Sequence, residues 1–404
     1  FDGMVDVRVI SNKERVNSAR VRPLSYKITP DCVGDTVTFS LSRPRNLSVE
    51  VNGDIFHNLH LFANPIDKFR PSDKEIQRAL KKKKGSNLIY FGPGVHNLPN
   101  DTLFVPSGTT VYIDGGARVY GNIFTEGAHD VNIFGRGEVH PDGRGAGVWV
   151  RRSKNVRIDG IVVSQLPIGQ CDSVELTNVK SISYYGWGDG MDVFSSSNVI
   201  LDGVFCRNSD DCAAVYASTQ GFKGGSNNVL VKNATLWADV AHPINIGGHG
   251  DPNGMDTVQN VTFRNIDILD QAEKQIDYQG CLAINPGDNT LVRNITFENI
   301  RIEDFRNGQL VNFRISFNPK YCVSTGRGIQ NVLVKDVTYN GSGENLSIIA
   351  GYDENHKISG IRFVNLVVNG RKITDDMPGK PKWYKTGDMA GIFVGEHVEN
   401  LSFE

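Results

Sequence analysis

The chain has 404 residues, with 43 Lys+Arg against 45 Asp+Glu, and this formal charge of −2 offers no broad basic surface to a polyanion such as nucleic acid. Hydrophobic residues make up 39% of it, enough for a large core, yet no apolar run approaches the roughly 18 residues of a membrane span. The 43 glycines exceed the usual share of about 7% without the triplet period of collagen, which points to many tight turns.

From Phe1 there is neither a basic n-region nor an apolar h-region, so any targeting segment is expected to have been removed or to lie outside this sequence. Residues 1–66 hold short alternating segments, Val5–Ile10, Ser25–Ile28, Thr36–Leu41 and Leu47–Val51, separated by turn residues. Such alternation predicts half-buried strands, and several together predict a small sandwich-like N-terminal β domain. A boundary is expected near Asn64-Pro65, leaving 67–404 as the main domain. There Ser72-Asp73-Lys74-Glu75 has the spacing of a capping box, predicting a helix near 72–84 that ends at Gly85. Lys81 to Lys84 are read as its solvated last turn, where cations suit the helix dipole.

Beyond the helix the sequence repeats. A unit of polar, apolar, any, apolar, any, Asn/Gly/Asp, apolar recurs with anchors at 131, 156, 174, 199, 229, 261, 295, 332 and 361, spaced 18 to 37 residues apart. A strand this short buries its inner face only against neighbours, so the period predicts a parallel β-helix whose longer coils carry loops on one side. The helix near 72–84 would cover its open end. Asn before each repeat suits a sharp corner, because it tolerates left-handed dihedrals and its amide can bond the next Asn in a ladder. The sequons at Asn233, Asn260 and Asn294 are therefore read as repeat positions and not as glycan sites. Six cysteines (Cys32, Cys171, Cys206, Cys212, Cys281, Cys322) form no CxxC pair and no His/Cys cluster, and are expected as free thiols, mostly buried.

Acid is concentrated in two neighbouring coils, as Gly188-Asp189-Gly190-Met191-Asp192 and then Ser209-Asp210-Asp211-Cys212. Asp189 and Asp210 lie 21 residues apart, close to one coil, so three carboxylates are expected on one face near the ~4.8 Å strand spacing. Two charges about 6 Å apart at an effective dielectric near 20 repel by about 2.8 kcal/mol, on the order of two pKa units. One acid should then stay protonated while another stays ionised, which is what a glycosidase requires. Such turns also suit Ca²⁺ through oxygen ligands.

The order Gly-Asp-Gly-Met-Asp, then Asp-Asp-Cys-Ala-Ala-Val 21 residues on, resembles glycoside hydrolase family 28, the polygalacturonases, over roughly residues 70–365. The resemblance implies an all-β, right-handed parallel β-helix and an inverting hydrolase of a polysaccharide or oligosaccharide, with no metal or other cofactor. It makes Asp210 the general acid and sets Asp189 and Asp211 to activate water. The family histidine falls at His242, in register with the downstream Ile-Asn-Ile-Gly, with His249 in the literal Gly-His-Gly as second choice. The family's Arg-Ile-Lys is replaced by Gly280–Asn285 without a cation, which leaves Arg314 as the candidate to hold a uronate carboxylate and keeps pectin-like and neutral α-glycan substrates both open. A β domain before a β-helix also resembles the dextranase and isopullulanase family, glycoside hydrolase family 49. Trp187 and Tyr216 flank the acids and are expected to stack on sugar faces. An extracellular or periplasmic location follows from the resemblance, and the rival readings are a polysaccharide lyase and a non-catalytic carbohydrate-binding β-helix.

Overall fold

A computed structural model of the chain describes residues 1–81, 85–141, 143–342 and 345–404. They form two compact units, Phe1–Arg70 and Pro71–Glu404. In the first, Thr36–Leu41 pairs antiparallel with Val5–Ile10 and Asp31–Val33, and Arg45–Val51 pairs with Ala19–Arg22 and Asp54–Ala63. Val37, Phe39, Leu41, Leu47 and Val49 make its core. The segment expected as a strand at 25–28 is instead a short 3₁₀ turn, Leu24–Tyr26, closed by Lys27 in the left-handed region at φ 54°. Four alternating residues beginning two positions after Pro23 do not outweigh the turn.

The second unit starts with the helix Asp73–Leu80. The Glu75 N–H donates to the Ser72 hydroxyl at 3.4 Å, while the Ser72 N–H donates to the Glu75 carboxylate at 2.9 Å, completing the capping box. Ile76 is the buried residue of the helix, which lies against Leu88–Phe91. Lys81 follows its last residue, so the helix is shorter than its sequence signal, and Lys82 to Lys84 lie outside the described residues.

From there the chain winds as a right-handed parallel β-helix with three faces per coil. On the first face all nine sequence anchors form one unbroken column of direct partners: Val131, Val156, Val174, Val199, Val229, Val261, Ile295, Val332 and Ile361. Leu401 extends it by a coil. Every one of the nine is buried, because period 2 turns alternate side chains inward. Phenylalanines stack inside, with Phe297 between Phe263 and Phe313, both at 5.9 Å between ring centroids. The longer coils carry irregular segments at 217–225, 247–256 and 315–327, between the third face and the first.

The corner asparagines behave as their chemistry requires. Asn198, Asn228, Asn260, Asn294 and Asn331 have φ of 56–57°, and each amide donates to the coil before it: Asn198 to Asp172, Asn228 to Asn198, Asn260 to Asn227, Asn294 to Asn260 and Asn331 to Asn294, at 2.7–3.2 Å. A second ladder runs from Asp202 through Asn233 and Asn265 to Asn299. The amide nitrogens of Asn233, Asn260 and Asn294, where a glycan would attach, are thus committed to the ladders.

Replacing Phe297 by Ala empties the middle of the ring stack and should destabilise the solenoid by about 3–5 kcal/mol. Denaturant unfolding of the variant beside the wild type measures it, and a change below about 1 kcal/mol would contradict this packing account.

Candidate active site

The site lies where coils turn from the second face to the third. Lys180–Ile182, Phe205–Asn208 and Thr235–Ala238 enter the turn from the second face, and Val193–Phe194, Ala213–Tyr216 and Ile244–Ile246 leave on the third. Val193 pairs with Val215 and Val215 with Ile246, so the turns stack. This register is one residue longer than the spacing of Asp189 and Asp210, which brings Asp189 level with Asp211. The Gly190 N–H donates to the Asp211 carbonyl at 2.7 Å, and a Cβ at Gly190 would sit 2.2 Å from the Cys212 carbonyl oxygen, so glycine is required there.

The structure brings Asp189, Asp210 and Asp211 together, with carboxyl oxygens all within 4.8 Å of one another. Their surroundings differ. Asp211 is buried under five donors: the His242 N–H at 3.0 Å and Nδ1 at 2.7 Å on one oxygen, and Tyr216 Oη at 2.6 Å, Asn245 Nδ2 at 2.9 Å and Tyr278 Oη at 3.3 Å on the other. Burial alone would push its carboxyl up, but His242, Tyr216 and Asn245 outweigh that and hold it below the usual carboxylate range. Asp210 has no such cradle, and burial together with the neighbouring Asp211 pushes it up to about 7. Asp189 is raised well above its ordinary value by burial and by Asp210 and Asp211. Asp192 is raised likewise, by burial and by Asp189. Ionisation is therefore favoured at Asp211 and disfavoured at its neighbours.

Around these acids opens a cleft of about 840 Å³ lined by Trp149, Tyr184, Trp187, Tyr278 and Tyr321 among others. Trp187, 65% exposed with φ 63°, presents its ring there as a platform. Other sequence candidates are placed differently. His242 is 0% exposed, sits behind Asp211 and does not line the cleft. His249 lines the cleft, edge-on to Tyr216 at 5.0 Å, and burial lowers its pKa. Tyr216 is only 6% exposed, stacked on Phe194, and its hydroxyl serves Asp211, so it is a poor stacking platform. Arg314 does not line the cleft; its guanidinium is drawn to Asp277 at 2.5 Å. Leu282–Ile284 pairs with Ile244–Ile246, which sets the cation-less stretch Gly280–Asn285 one coil beyond His242.

Glu273, Gln275, Lys320 and Tyr321 also line the cleft and were not singled out by the sequence. They come from irregular segments of later coils, where no repeat or motif marks them. For Asn245 a signal existed, since its side chain occupies the same Ile-x-Ile-Gly stretch that locates His242.

The profile of Glycosyl hydrolases family 28 matches residues 148–377. The chain belongs to that family. Among curated relatives it is 26% identical over 295 residues to a polygalacturonase of Juniperus ashei, covering 65% of this chain and 54% of the relative. It is 24% identical over 246 residues to an exopolygalacturonase of Cochliobolus carbonum, covering 52% of each. The chain thus spans about half the length of these curated relatives. Among solved structures, the family 28 exopolygalacturonase of Yersinia enterocolitica superposes with a TM-score of 0.62 at 12% identity, over 99% of this chain and 97% of the other. Dex49A from Penicillium minioluteum superposes with a TM-score of 0.64 at 14% identity, over 100% and 82%. At such identities these two speak to the fold.

Tyr216→Phe removes a donor from the Asp211 carboxylate, an interaction with a charged group worth about 1.5–3 kcal/mol. The Asp211 carboxyl should then titrate at higher pH than in the wild type. ¹³C NMR of labelled aspartate, assigned with Asp211→Asn, reads this directly, and an unchanged titration would show that the hydroxyl does not support the charge.

Proposed function

We propose that the chain is a glycoside hydrolase that cleaves a polysaccharide or oligosaccharide with Asp189, Asp210 and Asp211. The observation that carries this is the opposite displacement of two adjacent carboxyls, Asp210 up to about 7 and Asp211 below the usual range. Paired acids pushed apart in this way are suited to general-acid and general-base work. Asp210 gives its proton to the glycosidic oxygen as the bond to the anomeric carbon breaks. A water attacking that carbon from the other side loses its proton to Asp211, with Asp189 as a second hydrogen-bonding partner for the water. His242, Tyr216 and Asn245 keep Asp211 charged and oriented. Cleavage and water attack in one step invert the anomeric centre.

Family membership and the third carboxyl beside the acid–base pair support single displacement. The close approach of the oxygens favours the alternative, double displacement with Asp211 as nucleophile, because inverting pairs usually stand roughly 6.5–9.5 Å apart and retaining pairs about 5–5.5 Å. Proton NMR of the first anomer released from a substrate found by polysaccharide screening decides between them: inversion supports single displacement and retention replaces it.

We place the protein outside the cytoplasm, extracellular or periplasmic. Among the described residues no helix is long and apolar enough to cross a membrane. Burial raises the thiols of Cys171, to about 11, and Cys322, to about 12, so these two carry little reactive thiolate to be oxidised.

Asp210→Asn should lower kcat by about 10²–10⁴ with the fold intact by circular dichroism, the range expected for loss of a general acid. Wild-type rate from this variant would remove Asp210 from the mechanism. The pH profile has a definite sign. The active form holds the Asp210 proton, so kcat/KM should fall as pH rises through about 7; it also holds Asp211 ionised, so the acid limb should lie below the ordinary carboxylate range. An alkaline limb above pH 9 would contradict Asp210 as the acid.

A further inference from the structure

We infer that the cleft selects glycans whose sugars beside the scissile bond carry no charge, an inference that rests on the hydrolase reading above. Five carboxyl groups line it, Asp189, Asp192, Asp210, Asp211 and Glu273, while among the described residues the lining includes one Lys or Arg, Lys320. It is a single cation, donating to the Gln275 side chain at 3.1 Å and lying 4.8 Å over the Tyr321 ring, and it offers no paired fork for a carboxylate. Arg314, on the third face two coils beyond Ile244–Ile246, pairs with Asp277 instead.

A carboxylate on the substrate would therefore meet the Asp211 charge with no guanidinium fork to receive it. At about 6 Å and an effective dielectric near 20, one such repulsion weakens binding roughly a hundredfold. The penalty falls on the ring nearest Asp211, where the bond is cut. The other polar side chains of the lining suit hydroxyl groups: Gln165, Thr219 and Gln220 offer amide and hydroxyl donors and acceptors without net charge. Beside them the exposed rings of Tyr184 and Trp187 offer flat apolar surface for the C–H faces of a neutral sugar. The cleft is thus built to read hydroxyl pattern and ring face, and it lacks the paired cations that would read acid groups.

The test keeps sugar and linkage constant and varies only charge. Homogalacturonan is supplied de-esterified, fully methyl-esterified and carboxyl-reduced, and neutral α-glucans and galactans are run alongside with wild-type protein. The expected result is a kcat/KM at least tenfold higher on an uncharged polymer than on de-esterified homogalacturonan. Any residual KM for the charged form should fall as salt is raised toward 0.5 M, because screening relieves the repulsion. De-esterified homogalacturonan cut best, with a KM that rises with salt, would overturn the inference and leave the hydrolase reading standing. If Asp210→Asn and wild type are equally inert on every charged and uncharged glycan, the hydrolase reading fails and this inference with it.

Discussion

No single coil of the solenoid can bury its own inner face, and everything else in the molecule follows from that constraint. Third-face strands of two to four residues, such as Val193–Phe194, Ala213–Tyr216 and Ile244–Ile246, gain a core only by lying in register on the coil before and the coil after. Register of this kind brings the same turn of successive coils to the same place. A turn that carries acid in two neighbouring coils then brings those acids together whether or not their charges favour it. The hydrophobic column from Val131 to Leu401 supplies the energy, and the acids at the turn are held by it.

That imposed crowding creates the chemistry. Carboxyls free to move apart would all ionise at neutral pH, but those fixed here between Gly190 and His242 share the charge unequally. Asp211 receives donors from three successive coils, Tyr216 from its own, His242 and Asn245 from the next, and Tyr278 from the one after. Asp210, on the adjacent residue, has its carboxyl beside that charge without the same donors. The peptide link between Asp210 and Asp211 thus joins a carboxyl that is harder to ionise to one that is easier to ionise than usual. A buried charge with all its hydrogen bonds made is stable only where the surrounding backbone cannot relax, and stacked strands provide such a place.

The legibility of the sequence follows the same physics. The first face could be read because each coil repeats an outward Asn before an inward Val or Ile, a pattern set by corner geometry and burial at period 2. The early first-face strand Thr110–Ile113 has Gly108 at its corner in place of an asparagine and was not part of the repeat. The strand expected at 25–28 is a 3₁₀ turn, since four residues hold too little alternation to decide against Pro23. At the site, Asp189, Asp210 and Asp211 were visible through their spacing, and His242 through its register with Ile244 and Ile246. Tyr216 was visible as a residue and misread in role, because ring burial and the direction of a hydroxyl are decided by packing.

By itself, the sequence determined that the chain stacks as a parallel solenoid, which residues face inward on its first face, and which coils carry acid. These depend on local alternation and on the residue types tolerated at a corner, and both are written along the chain. Only the tertiary structure decided which carboxyl keeps its charge, that His242 stands behind Asp211 while His249 faces the cleft, that Arg314 is committed to Asp277, and that Glu273, Gln275 and Lys320 complete the lining. Those outcomes depend on distances of a few ångströms between residues 30 to 110 positions apart, and no local pattern records them.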